Sequence, residues 1–224
     1  MSKKSLFITG GNGEIGKSII SQFQDYIIYA PSSKEMDCSD VNSIRNYIHN
    51  IGINKIDIFI HCAGINNPKP YIDSTEVSIL NTMKINTFSF LYITQELSKC
   101  FIDNSTKILA ISSIYGSISR VGRLEYNASK SALNGMIKSL ALELAPKGIV
   151  VNSIAPGFIE TSLTFKNNST KTVEEIISNI PLGRLGQPAE IAWYVKFLCS
   201  SQNTYLTGQN IVIDGGYLIG GFQK

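Results

Sequence analysis

The run Ser5-Leu6-Phe7-Ile8-Thr9-Gly10-Gly11-Asn12-Gly13-Glu14-Ile15-Gly16 decides the reading of this chain. Four apolar or β-favouring residues lead into glycines spaced three apart, and a helical pattern follows. A strand that turns through glycines into a helix aims the helix N-terminus, with its free N–H groups, at a ligand beyond the strand's carboxyl end. Gly10 permits the tight turn, Gly13 lets the backbone approach a pyrophosphate, and Gly16 allows the helix to pack closely on the strand. Thr9, Asn12 and Ile15 complete this loop. The spacing alone suits a bland turn equally well; the strand-to-helix setting points to a dinucleotide.

The same alternation continues outward. Strand-like runs are expected at 5–9, 26–30, 56–61, 107–112, 150–154 and 211–214, all rich in Ile, Val, Leu and Phe, as burial on both faces requires. Apolar residues recur at helical spacing over 15–24, 41–50, 77–101, 126–145 and 188–200. Asp40 and Pro188 sit at helix starts, and Pro146-Lys147-Gly148 ends the helix before the fifth strand. Repeated strand, helix, strand with right-handed crossovers gives an α/β fold, a Rossmann-like doubly wound parallel sheet, expected as a single domain over 1–224. The polar, weakly patterned stretch 157–187 is a candidate lid.

With 224 residues and 43% hydrophobic content the chain can bury one sizeable core. Its net charge is only +3, and the basic residues are scattered, so neither nucleic acid nor an anionic membrane is an expected partner. No apolar run approaches the ~20 residues that span a bilayer, and Met1-Ser2-Lys3-Lys4-Ser5 opens no leader-like segment. The four cysteines, Cys38, Cys62, Cys100 and Cys199, lack CxxC spacing, which suits thiols in a reducing cytoplasmic setting and argues against a disulfide scaffold or a metal site.

Tyr126-Asn127-Ala128-Ser129-Lys130 puts a phenol and an ammonium one helical turn apart. Ser113 stands at the tip of the fourth strand, where such sheets face their cofactor crevice. The Ser113 hydroxyl would hold a carbonyl oxygen while Tyr126 donates a proton to it. A free phenol titrates near ~10, so the Lys130 cation and a positive nicotinamide ring are expected to lower the Tyr126 pKa.

Cofactor choice rests on the end of the second strand, Tyr29-Ala30-Pro31-Ser32-Ser33-Lys34. An acidic residue there would bind the ribose 2′-hydroxyl of NAD. Two hydroxyls, on Ser32 and Ser33, and a cation fit a 2′-phosphate better, so NADP(H) is expected over NAD(H), although no arginine stands ready to pair bidentately.

Taken together, these elements resemble the short-chain dehydrogenase/reductase family over nearly the whole chain. The residues that carry the resemblance are Thr9-Gly10 with Gly13 and Gly16, His61-Cys62-Ala63-Gly64, Asn86, Ile111-Ser112-Ser113, Tyr126 with Lys130, Pro156 to Thr161, and Ile213-Asp214-Gly215-Gly216. The stretch from Pro181 to Ala192 is similar to the 3-oxoacyl-acyl-carrier-protein reductase branch. The resemblance implies catalytic roles for Ser113, Tyr126, Lys130 and Asn86, the last supporting a water-linked proton relay through Lys130. It implies that Lys130 also holds the nicotinamide ribose, that Cys62, Ala63 and Gly64 lie beside the adenosine ribose, and that Asp37 bonds the adenine amino group. Pro156, Gly157, Ile159 and Thr161 would contact the nicotinamide carboxamide.

Three departures accompany it. Glu14 replaces a glycine and must point away from the pyrophosphate. His61 replaces an asparagine and is expected to be structural rather than a base, with Cys62 a small buried residue. About six residues separate Ala30 from Met36-Asp37-Cys38-Ser39-Asp40, so the crossover helix between the family's second and third strands is missing or reduced.

The resemblance implies transfer of hydride between nicotinamide and a small-molecule carbonyl or secondary alcohol. Alternatives are a sugar or sugar-nucleotide dehydrogenase or epimerase of cell-surface polysaccharide metabolism, and a non-catalytic dinucleotide-binding regulator. A homo-oligomer, dimer or tetramer, is expected through the long helices and the C-terminal strand. The substrate pocket would be walled by 115–123 and 157–187. Arg120 and Arg123 there either attract an acyl carrier protein or an anionic substrate, or sit solvated.

Overall fold

The computed structural model describes residues 3–220; Met1 and Ser2, which open the stretch read for a leader, lie outside them. Six strands form one sheet: β1 (Ser5–Thr9), β2 (Ile27–Tyr29), β3 (Ile58–His61), β4 (Lys107–Ile111), β5 (Val150–Pro156) and β6 (Asn210–Ile213). All neighbours pair parallel, in the order β2-β1-β3-β4-β5-β6. The chain leaves β1 toward one edge and returns to its other side for β3. This reversal opens a crevice at the carboxyl ends of β1 and β3.

Side-chain alternation along each strand builds two cores. Phe7, Phe59, Ile108 and Val151 face α2 (Val41–Asn50), α4 (Ser89–Leu97) and α5 (Leu124–Leu144), meeting Ile44, Phe90, Leu133 and Ile137. Leu6, Ile8, Ile60, Leu109 and Ile154 point the opposite way, onto Ile19 of α1 (Glu14–Ser21) and Ile191 and Val195 of α8 (Pro188–Leu198). The apolar stripe of α5 belongs to the first core: Ile137 and Ala141 are buried in it, and Met136, Leu140 and Leu144 pack against it.

The shortened link lies where expected. Between β2 and α2 the described residues hold a turn at 33–36 and neither strand nor α-helix, so β2 is the sheet edge and the return to β3 runs through α2.

Two expectations need correction. The long helix read over 77–101 is broken: α3 (Glu76–Met83) passes through a π turn (Lys84–Phe88) into α4. One extra residue per turn widens the hydrogen-bond ladder locally without changing the apolar pattern. The stretch 157–187 also contains two helices, α6 (Ser162–Lys166) and α7 (Thr170–Ser178), started by the Thr161 and Ser169 side chains. Val173 and Ile176 of α7 pack with Ile114, Tyr115 and Phe158, so this segment covers the crevice with its own small core. The last helix, α9, is Tyr217–Gly220.

Candidate active site

The glycine loop is shaped by contacts that exclude a side chain. Gly10 has φ +69°, and a Cβ there would meet Ala63 N at 2.6 Å and Cys62 C at 2.7 Å. At Gly16 it would run into the Gly10 carbonyl oxygen. Gly13 caps α1 and has only Gly10 O, at 3.6 Å, near its missing Cβ, so its backbone faces open space.

Behind the loop, Thr9 joins β1 to the end of β3. Its Oγ1 accepts from Cys62 N (3.2 Å) and Ala63 N (3.1 Å), which leaves its proton to donate to His61 Nδ1 at 2.9 Å. His61 then carries its own proton on Nε2, which faces Ser89 Oγ at 3.5 Å across the π turn. Burial holds the His61 pKa down to about 3. It is a structural residue, and Cys62, whose thiol burial pushes up to about 12, is no nucleophile.

A stability prediction follows from His61. The unfolded imidazole takes up a proton near pH 6.5, whereas the folded one stays neutral down to about pH 3. The unfolded state therefore binds more protons over that window, and stability is lost as pH falls through it, by about 1.4 kcal/mol per unit. Denaturant titrations at pH 7 and pH 4 should show the advantage of the native protein over His61→Asn shrinking by roughly 3 kcal/mol. Parallel pH profiles would contradict this assignment.

Along the crevice, Thr9, Gly10, Asn12, Ser32, Ser33, Asp37, Ala63 and Gly64 line one cleft. Ile15, Ser113, Tyr126, Pro156, Gly157, Ile159 and Thr161 line the next. Gly64 keeps the passage between them open: a Cβ there would lie 3.4 Å from Asn86 Oδ1 and 3.6 Å from Lys130 Nζ. The two clefts together fit an extended dinucleotide.

Asp37 lies in the first cleft, but its Oδ1 already accepts from Ser39 N and Oγ at 2.8 Å each. Sequence reasoning stopped at Lys34 and missed Glu35, whose Oε2 accepts from Ser32 N (2.8 Å) and Ser32 Oγ (2.7 Å). Glu14 does turn from the loop; its Oε1 accepts from Ser162 N at 2.8 Å, tying α1 to α6.

At the centre, α5 presents Tyr126 and Lys130 to the tip of β4. Tyr126 and Ser113 line the same cleft, and Lys130 Nζ sits 5.7 Å from the Tyr126 ring centroid while donating to Ile111 O at 2.8 Å. Asn86, in the π turn, uses its amide on the wall of the cleft: Oδ1 accepts from Ile65 N (2.8 Å), and Nδ2 donates to Ile65 O (2.9 Å) and Ser129 Oγ (3.0 Å).

In the protein alone the Tyr126 pKa is raised, not lowered. Burial pushes the phenol up to about 12, more than the Ser113 bond and the Arg123 charge pull it down, and burial brings Lys130 down to about 8. Desolvation opposes the charged form of both groups. The protein by itself thus holds a neutral phenol beside an ammonium at neutral pH.

The family described as "Enoyl-(Acyl carrier protein) reductase" matches residues 15–218. The chain is 35% identical over 216 residues to the 3-oxoacyl-[acyl-carrier-protein] reductase FabG of Aquifex aeolicus, covering 95% of this chain and 86% of that protein. It belongs to the short-chain dehydrogenase/reductase family. A short-chain dehydrogenase family protein from Francisella tularensis superimposes with a TM-score of 0.88 at 27% identity, covering 97% of this chain and 99% of the other. A blue fluorescent protein from a metagenomic library, solved in complex with NADPH, gives 0.87 at 27% identity, covering 96% and 97%. For this short-chain dehydrogenase/reductase, no helix among the described residues is long and apolar enough to cross a membrane.

Proposed function

We propose that this enzyme reduces the ketone of a small molecule, as a 3-oxoacyl thioester reductase does, with Ser113, Tyr126, Lys130 and Asn86 as its working set. The observation that carries the reading is that Ser113 and the half-buried Tyr126 line one cleft, with the Lys130 ammonium 5.7 Å from the Tyr126 ring centroid. The bound nicotinamide supplies the hydride. Ser113 orients the carbonyl oxygen, Tyr126 donates its proton to that oxygen, and the Lys130 ammonium stabilises the phenolate left behind. Lys130 Nζ, 3.6 Å from where a Gly64 Cβ would lie, would also hold the nicotinamide ribose. Asn86 acts from behind, fixing the Ile65 backbone beside the amine. Oxidation of NADPH is to be screened over acetoacetyl thioesters, keto sugars and small ketones. Turnover confined to keto sugars would favour the sugar dehydrogenase alternative, and none at all the regulator.

NADP(H) is the proposed preference, supported by Ser32 and Ser33 in the first cleft, by Lys34, and by the NADPH bound to a structural relative. Glu35 works against it, because its carboxylate occupies the Ser32 donors that a 2′-phosphate would use. Glu35→Gln should therefore tighten NADPH binding about three- to tenfold, read from titrations of cofactor fluorescence, with NADH affected less than twofold. Equal effects on both would give Glu35 only a turn-capping role, and native NADH binding tenfold tighter than NADPH would overturn the preference. We also propose a homo-oligomer, supported by the exposed Trp193, Tyr194 and Phe197 of α8 and the exposed Val212 of β6; sedimentation tests it.

A further inference from the structure

Sequence alone allows Arg123 to be either solvated or an anion receptor. It is 5% exposed, at the N-cap of α5, one helical turn before Tyr126, and it lines the same cleft as Ser113 and Tyr126. Its guanidinium makes one hydrogen bond, Nη1 to Asn66 Oδ1 at 2.9 Å, and lies 6.0 Å from the Tyr115 ring centroid.

What the site lacks is a counter-charge. No carboxylate among the described residues forms an ion pair with Arg123. The carboxylate two residues on, Glu125, is already spent: Lys69 Nζ lies 2.9 Å from its Oε1, and Ser78 and Thr82 donate to it. Arg120, the other cation nearby, is exposed and donates to Asn168 Oδ1 at 3.4 Å. The buried side-chain nitrogen and oxygen atoms of the described residues all have partners, so an Arg123 nitrogen without one is solvent-accessible, in a residue that lines the cleft. A guanidinium stays charged at any working pH, and a buried one without an anion is costly. The first N–H groups of the 21-residue α5, uncapped by any side chain, add positive potential at the same spot.

We propose that Arg123 receives an anionic group of the substrate, so that the ketone reduced at Tyr126 is borne by a small acid, a carboxylate or a phosphate, rather than by a neutral molecule. This rests on the ketone-reductase reading of the same cleft. The remaining polar lining, Asn66, Thr164, Asn167 and Asn168, is neutral and suits the shoulders of such an anion. Guanidinium forks match carboxylate and phosphate oxygens bidentately.

The test uses pairs that differ in charge: acetoacetate with methyl acetoacetate, and dihydroxyacetone phosphate with dihydroxyacetone. Binding of NADPH and of NADH is measured first on the unaltered protein; binding of neither would overturn the dinucleotide reading and this proposal with it. With NADPH bound, dissociation constants and kcat/KM are measured for each pair. At least one acid should be favoured over its neutral partner by roughly 10- to 100-fold, and which pair shows it identifies the anion. Arg123→Gln, which retains an amide to meet Asn66, should reduce that ratio to near one, and Arg123→Lys should restore part of it. Charge-blind binding in both pairs, or an acid preference that survives Arg123→Gln, overturns the proposal while leaving the ketone-reductase reading intact.

Discussion

Tyr126→Phe should lower kcat by roughly a thousandfold while changing the dissociation constant of NADPH less than twofold. The substitution removes one oxygen and no volume elsewhere, so the T-shaped contact with Tyr115, at 6.2 Å between centroids, survives. What disappears is a proton donor placed beside the Ser113 hydroxyl. The effect should be large because nothing nearby can replace it. His61 is fully buried and unprotonated down to about pH 3, and Cys62 holds its proton up to about 12. Phenol burial has the further consequence that reduction starts from the form the reaction needs: at neutral pH a group titrating near 12 carries its proton. Single-turnover measurements at saturating NADPH would separate loss of chemistry from loss of binding. Turnover that persisted in Tyr126→Phe would remove Tyr126 from the mechanism and leave Ser113 to be explained differently.

What could be read from sequence and what could not divides along a physical line. Gly10 and Gly16 were legible because a backbone demand admits one residue type, and Tyr126 with Lys130 because helix geometry fixes the face they share. The alternation of Leu6, Phe7 and Ile8 gave both layers of the sheet. Burial was not legible where it depends on distant segments. Arg123 looked like a surface arginine because its partner Asn66 is distant in sequence and its cleft is lined by Leu163 and Thr164 of α6, which like α7 is a short helix hidden in a polar stretch. Their start signals were present, Thr161 before Thr164 and Ser169 before Thr172. The same blindness reversed the sign for Tyr126: proximity to Lys130 could be counted, but desolvation of both groups could not. The π turn at Asn86 leaves no trace in composition, since one widened turn keeps Phe90, Ile93 and Leu97 on the core face.

The second large effect is structural. Gly10→Ala should destabilise the protein by about 2 to 5 kcal/mol and abolish NADPH binding. Two costs add. A left-handed backbone at φ +69° disfavours any residue with a Cβ by about 1–2 kcal/mol, and the new methyl would press on Ala63 N and Cys62 C, an overpacking cost of about 1–3 kcal/mol. Both obstacles are backbone atoms, held in place because Cys62 N and Ala63 N donate to Thr9 Oγ1, so no rotamer change relieves them. Relief requires the loop after β1 to move away from the end of β3, which opens the wall that would hold the dinucleotide. The matched control is Gly135→Ala, on the exposed face of α5 with nothing within 4 Å of its missing Cβ. There the methyl meets no atom and the helix gains about 0.5–1 kcal/mol from the better helix former. Denaturant midpoints that moved in opposite directions for the two variants would show that the cost belongs to the site. Equal and small shifts would mean that the loop yields, and that Gly10 is not what sets its shape.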